Sequence, residues 1–63
     1  MSDLFPVSLN EMIACVVREL VYRERVYPRQ VAAGRMTDRK ADHELQCMRA
    51  VLTTLLKLMT EAA

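Results

Sequence analysis

The chain has no tryptophan, one phenylalanine, one histidine and a single glycine among 63 residues. With one glycine and two prolines it has almost no supply of turn residues, and no strand signal appears anywhere along it. There is no internal repeat and no low-complexity run. Long apolar runs are missing too. A spanning helix needs about 20 consecutive apolar residues, and Arg18, Glu19 and Arg23 interrupt the longest candidate. The segment Met1-Ser2-Asp3-Leu4-Phe5-Pro6 lacks a basic region followed by an apolar core, so no secretory signal is expected there.

Cysteine is scarce, with Cys15 and Cys47 alone. In a folded-back arrangement they lie about two helical turns out of register, whereas a disulfide needs Cα atoms within about 7 Å. They read as reduced thiols packed as small hydrophobes, which sets the expected compartment as the cytoplasm. His43 and Cys47 are spaced i to i+4 on one helix face, a half-set of zinc ligands that two copies could complete. No second Cys or His pair accompanies them, so a surface histidine beside a packed cysteine is the simpler reading. No metal or other cofactor is expected. A Cys-His nucleophile finds neither an oxyanion site nor a concave pocket in so short a chain, and no enzymatic activity is expected.

An excess of one charge is missing overall, for the net charge is +1, but its distribution is uneven. Residues 18–40 carry seven basic against three acidic side chains, a net of +4, while residues 1–17 carry −2 and residues 41–63 carry −1. The basic part surrounds the one segment that holds the glycine and the second proline.

That segment, Tyr27-Pro28-Arg29-Gln30-Val31-Ala32-Ala33-Gly34-Arg35-Met36-Thr37-Asp38, separates two apolar-periodic stretches. Before it stand Leu9, Ile13, Val16 and Leu20, with Tyr27 continuing the stripe at its first position. After it stand Ala41, Leu45, Met48, Leu52, Leu55 and Met59, spaced alternately four and three, the rhythm of a helix–helix seam. Ser8-Leu9-Asn10-Glu11 has the capping-box form, and Val7 can staple onto Met12. Pro28 lacks an amide hydrogen and disfavours helix at Tyr27, so the first helix is expected to stop or kink there. Gly34 suits a left-handed C-cap after a further helical turn, and Thr37 caps the next helix with Asp38 in its first turn.

The expected organisation is an extended lead-in over 1–7, a helix over 8–27, a hinge with a short helical turn over 28–37, and a helix over 38–60. The fold class is all-α, an antiparallel helical hairpin with a Pro/Gly hinge. Leu20 and Val51, Val16 and Leu55, and Ile13 and Leu58 are expected to face each other, with an Arg23–Glu44 pair setting register near the hinge.

One hairpin cannot cover both stripes. A domain of about 60 residues buries only about 60% of the surface of its unfolded chain, and small folds usually add disulfides, a metal or a partner subunit. Leu20, Leu45, Met48, Leu52, Leu55 and Met59 are therefore read as core and dimer residues, closing two hairpins into a four-helix bundle. The alternative is that the surplus apolar surface is kept for a different protein. At the basic end, Arg23, Tyr27, Arg29, Arg35 and Arg39 form a candidate partner-binding group. Nucleic acid is a second candidate partner, because Arg18, Arg25 and Arg29 can line one outward face with Arg35, Arg39 and Lys40 nearby. Near-neutral total charge and the apolar second helix count against a helix-turn-helix reader.

The run from Arg23 through Tyr27-Pro28 to Gly34-Arg35-Met36, followed by Lys40-Ala41, Glu44, Met48, Val51 and Leu55, resembles a group of small proteins encoded in bacteriophages and prophages of Gram-negative bacteria. The resemblance covers roughly residues 18–56 and is most specific at the Tyr-Pro and Gly-Arg-Met elements. That group has no settled biochemical role, so the resemblance implies a setting in the host cell; analogy with other small phage proteins suggests binding and redirecting host proteins, such as transcription regulators, defence complexes or surface-appendage motors. The resemblance assigns no role to an individual residue.

Overall fold

The computed structural model describes residues 7–62, so the lead-in expected over 1–7 lies, apart from Val7, outside the described residues. Two helices make up the fold, α1 (Leu9–Ala32) and α2 (Asp38–Ala62), folded back on each other as an antiparallel hairpin. No strand occurs among the described residues.

Ser8 starts α1 through a reciprocal capping box. Its hydroxyl accepts from the Glu11 amide at 3.1 Å, and the Glu11 carboxylate accepts from the Ser8 amide at 3.1 Å. The staple does not form a covered contact, because Val7 remains 58% exposed. Thr37 caps α2, its hydroxyl accepting from the Lys40 amide at 3.1 Å.

Pro28 does not end α1. The helix runs through it for one further turn to Ala32, so the connection shrinks from the expected 28–37 to 33–37. Proline removes one ladder bond, to the Glu24 carbonyl, at a cost of about 3 kcal/mol relative to alanine. Two features offset that cost. Tyr27, Gln30 and Val31 carry the half-buried stripe straight past the proline, whose own position is exposed. Beyond it the chain closes a complete Schellman motif, with the Arg35 amide donating to the Gln30 carbonyl at 2.9 Å and the Gly34 amide to the Val31 carbonyl at 3.0 Å. Gly34 stands at φ +76, as that motif requires. The stop signal is therefore the glycine, and the proline is a tolerated interior residue.

The seam follows the three-four rhythm. On α1 the half-buried positions include Leu9, Ile13, Val16, Leu20, Arg23 and Tyr27, and on α2 Leu45, Met48, Leu52, Leu55 and Met59. Val51 and Leu58 do not face α1 as expected. They are 45% and 47% exposed, one step off the seam held by Leu52 and Met59. Register is marked by two ion pairs between helices, Arg23–Glu44 at 3.6 Å and Arg49–Glu24 at 2.9 Å.

Ala41 is the one buried hydrophobic residue among those described, at 6% exposure. The hairpin measures 43 × 28 × 14 Å, and its shortest dimension is that of a single layer of helices, each about 10–12 Å across. Its radius of gyration is 14.7 Å, against about 11 Å for a compact domain of this length. Stable domains stack two layers around a core, and this hairpin supplies one.

Candidate partner-binding surface

Three parts of the surface carry the residues singled out from the sequence. The first is the cluster around Arg23 on the seam. Its Nε donates to Glu19 at 2.8 Å, its Nη1 lies 3.6 Å from Glu44, and its guanidinium sits 5.9 Å from the Tyr27 ring centroid. The Glu19 hydrogen bond is the main cause that raises the arginine above its ordinary, already high range, so it is charged throughout the working pH range. Lys40 adds a contact to Glu44 at 3.5 Å. The Arg23–Glu44 pair was readable from helical levels. The Glu19–Arg23 and Arg23–Tyr27 contacts were not drawn from the sequence, although both have the i to i+4 spacing that signals them.

The second part is the remainder of the basic group. Arg29, Arg35 and Arg39 are exposed, and none makes an ion pair among the described residues. At 100° per residue, Arg29 lies on the side of α1 opposite the seam, and Arg39 lies on the corresponding outer side of α2. The five candidates thus divide. Arg23 and Tyr27 are engaged with each other inside the hairpin, whereas Arg29, Arg35 and Arg39 are spread around the hinge end. Arg35 and Lys40 border a shallow recess with Gly34, Met36 and Thr37.

The third part is apolar. Val7, Met12, Val17, Val21, Tyr22, Val51, Leu56 and Leu58 are all between 38% and 58% exposed. The cross-helix ion pairs show which of them share a side. Arg23 and Glu44 lean to one broad face of the hairpin, Glu24 and Arg49 to the other. Counting at 100° per residue from these markers puts Met12, Cys15, Tyr22, Cys47, Val51 and Leu58 on the Glu44 face. Val17, Val21 and Leu56 fall on the Glu24 face.

Both cysteines are free thiols and both are exposed, which corrects the expectation that they pack inside the hairpin. Their helical positions explain it, for each lies some 120° from its helix's seam. His43 Nε2 is 3.5 Å from Cys47 Sγ on the exposed side of α2. No group of three or more metal-ligating side chains occurs among the described residues. No helix in that range is long and apolar enough to cross a membrane.

Compared with known proteins, the chain matches no family model, no curated protein and no solved structure. The functional reading therefore rests on the surface.

Proposed function

We propose that this chain is a non-enzymatic helical interaction module that pairs as a homodimer, two hairpins forming a four-helix bundle, and acts by binding another protein. The observation that carries this reading is the imbalance of the hairpin: among the described residues one hydrophobic residue is buried, Ala41, against eight large hydrophobics exposed. A one-layer hairpin gains little from burial, and a second layer supplies what it lacks. The setting implied by the phage and prophage resemblance makes the partner a host or phage protein, with the chain as its modulator or inhibitor. Transcription regulators, defence complexes and surface-appendage motors are the classes that setting suggests.

Arg29, Arg35 and Arg39 support the hinge end as the contact, because exposed arginines with no acidic partner among the described residues can pair bidentately with carboxylates. The same three support a second reading, an accessory protein that binds nucleic-acid phosphates.

Light scattering should give a particle of twice the 7.2 kDa chain mass at micromolar concentration. A compact, stable monomer there would remove the dimer. Affinity capture from host lysate with mass spectrometry should recover one protein in stoichiometric amount, and recovery of nucleic acid alone, with affinity falling steeply as salt rises, supports the second reading. Charge reversal of Arg29 and Arg35 to glutamate should abolish capture while the dimer persists. Unchanged capture would remove the hinge end as the contact.

A further inference from the structure

The two broad faces of the hairpin differ in what a second copy has to desolvate. On one, Val17, Val21 and Leu56 flank the Glu24–Arg49 pair, which crosses the face at 2.9 Å with both side chains about half exposed. Covering that face strips water from two charges, a cost that ion pairing often fails to recover.

On the other face the charges gather in the hinge half, where Glu19 and Glu44 both pair with Arg23 and the exposed Lys40 reaches Glu44. From there to the open end, α2 carries the run Cys47, Val51, Thr54 and Leu58, one position before each of the seam residues Met48, Leu52, Leu55 and Met59. It is a second heptad stripe beside the first, and no residue in it is charged. The ridges Ala50–Thr54 and Val51–Leu55 enclose a groove of about 270 Å³ that opens on this side. Grooves between i±4 ridges are where a neighbouring helix seats its own ridge.

The exposed area sets the scale. The chain presents 5127 Å², about 1,000 Å² above the roughly 4,100 Å² of a compact monomer of its mass. A standard interface takes about 800 Å² from each partner.

From these observations, and resting on the proposal that the protein self-associates, we infer that a second copy docks on the face bearing Met12, Cys15, Cys47, Val51, Thr54 and Leu58, seating a helix along the Ala50–Leu55 groove. The docked copy covers both thiols. Cys15 and Cys47 each lie about 30° from the outward normal of this face and well away from the opposite one.

Thiol reactivity toward 5,5′-dithiobis(2-nitrobenzoate) reads this directly on the unmodified protein, followed alongside mass by light scattering from nanomolar to high micromolar concentration. Both thiols should slow together as the dimer forms, by about tenfold or more where dimer outweighs monomer by that ratio. Val51→Glu should give a helical monomer with fast thiols. Val21→Glu, on the opposite face, should leave dimer and protection intact. A dimer whose thiols react at the monomer rate, or one broken by Val21→Glu and not by Val51→Glu, overturns the choice of face and leaves self-association standing. A monomer at every concentration overturns both.

Discussion

The two ends of the hairpin are built by different means. Toward the hinge, specification is intramolecular: Ala41 is buried, Arg23 is held by Glu19, Glu44 and Tyr27, and the Schellman motif at Gly34 closes the turn. Toward the open end the seam consists of Ile13, Val16, Leu52, Leu55 and Met59, all only half-buried, with Val17, Val51, Leu56 and Leu58 exposed around them. The small side chain of Ala41 lets the helices approach, whereas the larger open-end residues have too few neighbours to enclose them. The hinge end supplies geometry from short-range hydrogen bonds and charge. The open end supplies apolar area whose worth depends on what covers it.

That contrast predicts unequal responses to mutation. The largest belongs to the open end. Leu55→Ala should destabilise by about 2–5 kcal/mol where the residue is enclosed in a bundle, and by less than the bottom of that range if the hairpin alone surrounds it. Urea unfolding at two protein concentrations separates the cases, because the midpoint of a dimer that unfolds with its dissociation rises with protein concentration and that of a lone hairpin does not. Pro28→Ala comes next, and its sign is the informative part. Restoring the ladder bond to Glu24 is worth about 3 kcal/mol, and the freer unfolded chain takes back about 0.4–1 kcal/mol. A net gain of roughly 2 kcal/mol should appear in the unfolding midpoint. A loss would show that the proline sets the hairpin and restore it as the hinge. Gly34→Ala should cost about 1–2 kcal/mol, all of it from forcing an alanine to φ +76, since an added Cβ meets nothing within 4 Å. That change acts at the hinge, so thermal unfolding should shift while the dissociation constant of the proposed dimer stays put.

Most of the architecture was legible in the sequence because the signals were local or periodic. Ser8 and Glu11 at i to i+3, Thr37 before Asp38, and the seam from Ala41 to Met59 each carry their meaning within a few residues. The lone glycine marked the turn for the same reason. Pro28 misled because the rule against interior proline is also local, and here the stripe through Tyr27 and Val31 together with the Schellman bonds outweighs it. The candidate site was less legible. Arg23 was placed correctly against Glu44, yet its stronger bond to Glu19 went unread. The spread of Arg29, Arg35 and Arg39 depends on how two helices are rotated about their axes. That rotation also left Val51, Leu58, Cys15 and Cys47 outside the hairpin, and a periodic stripe wider than one seam does not say which of its edges turns inward.

The smallest effect tests the contrast between the broad faces most closely. Glu24 and Arg49 form a 2.9 Å pair with side chains 45% and 53% exposed. In that setting the attraction is screened and offset by side-chain ordering, so the pair contributes about 0–1 kcal/mol. Glu24→Gln should therefore shift the unfolding midpoint by at most that amount, and the shift should fade in about 1 M salt, where the screening length drops to about 3 Å. A loss well above about 1 kcal/mol that survives high salt would mean that the pair is shut away from water in the native assembly. Something would then cover the face carrying Val17, Val21 and Leu56. Because a second copy cannot close a two-hairpin bundle on both faces, that result would move the proposed dimer contact to the Glu24 side and leave the thiol-bearing face open for the proposed protein partner.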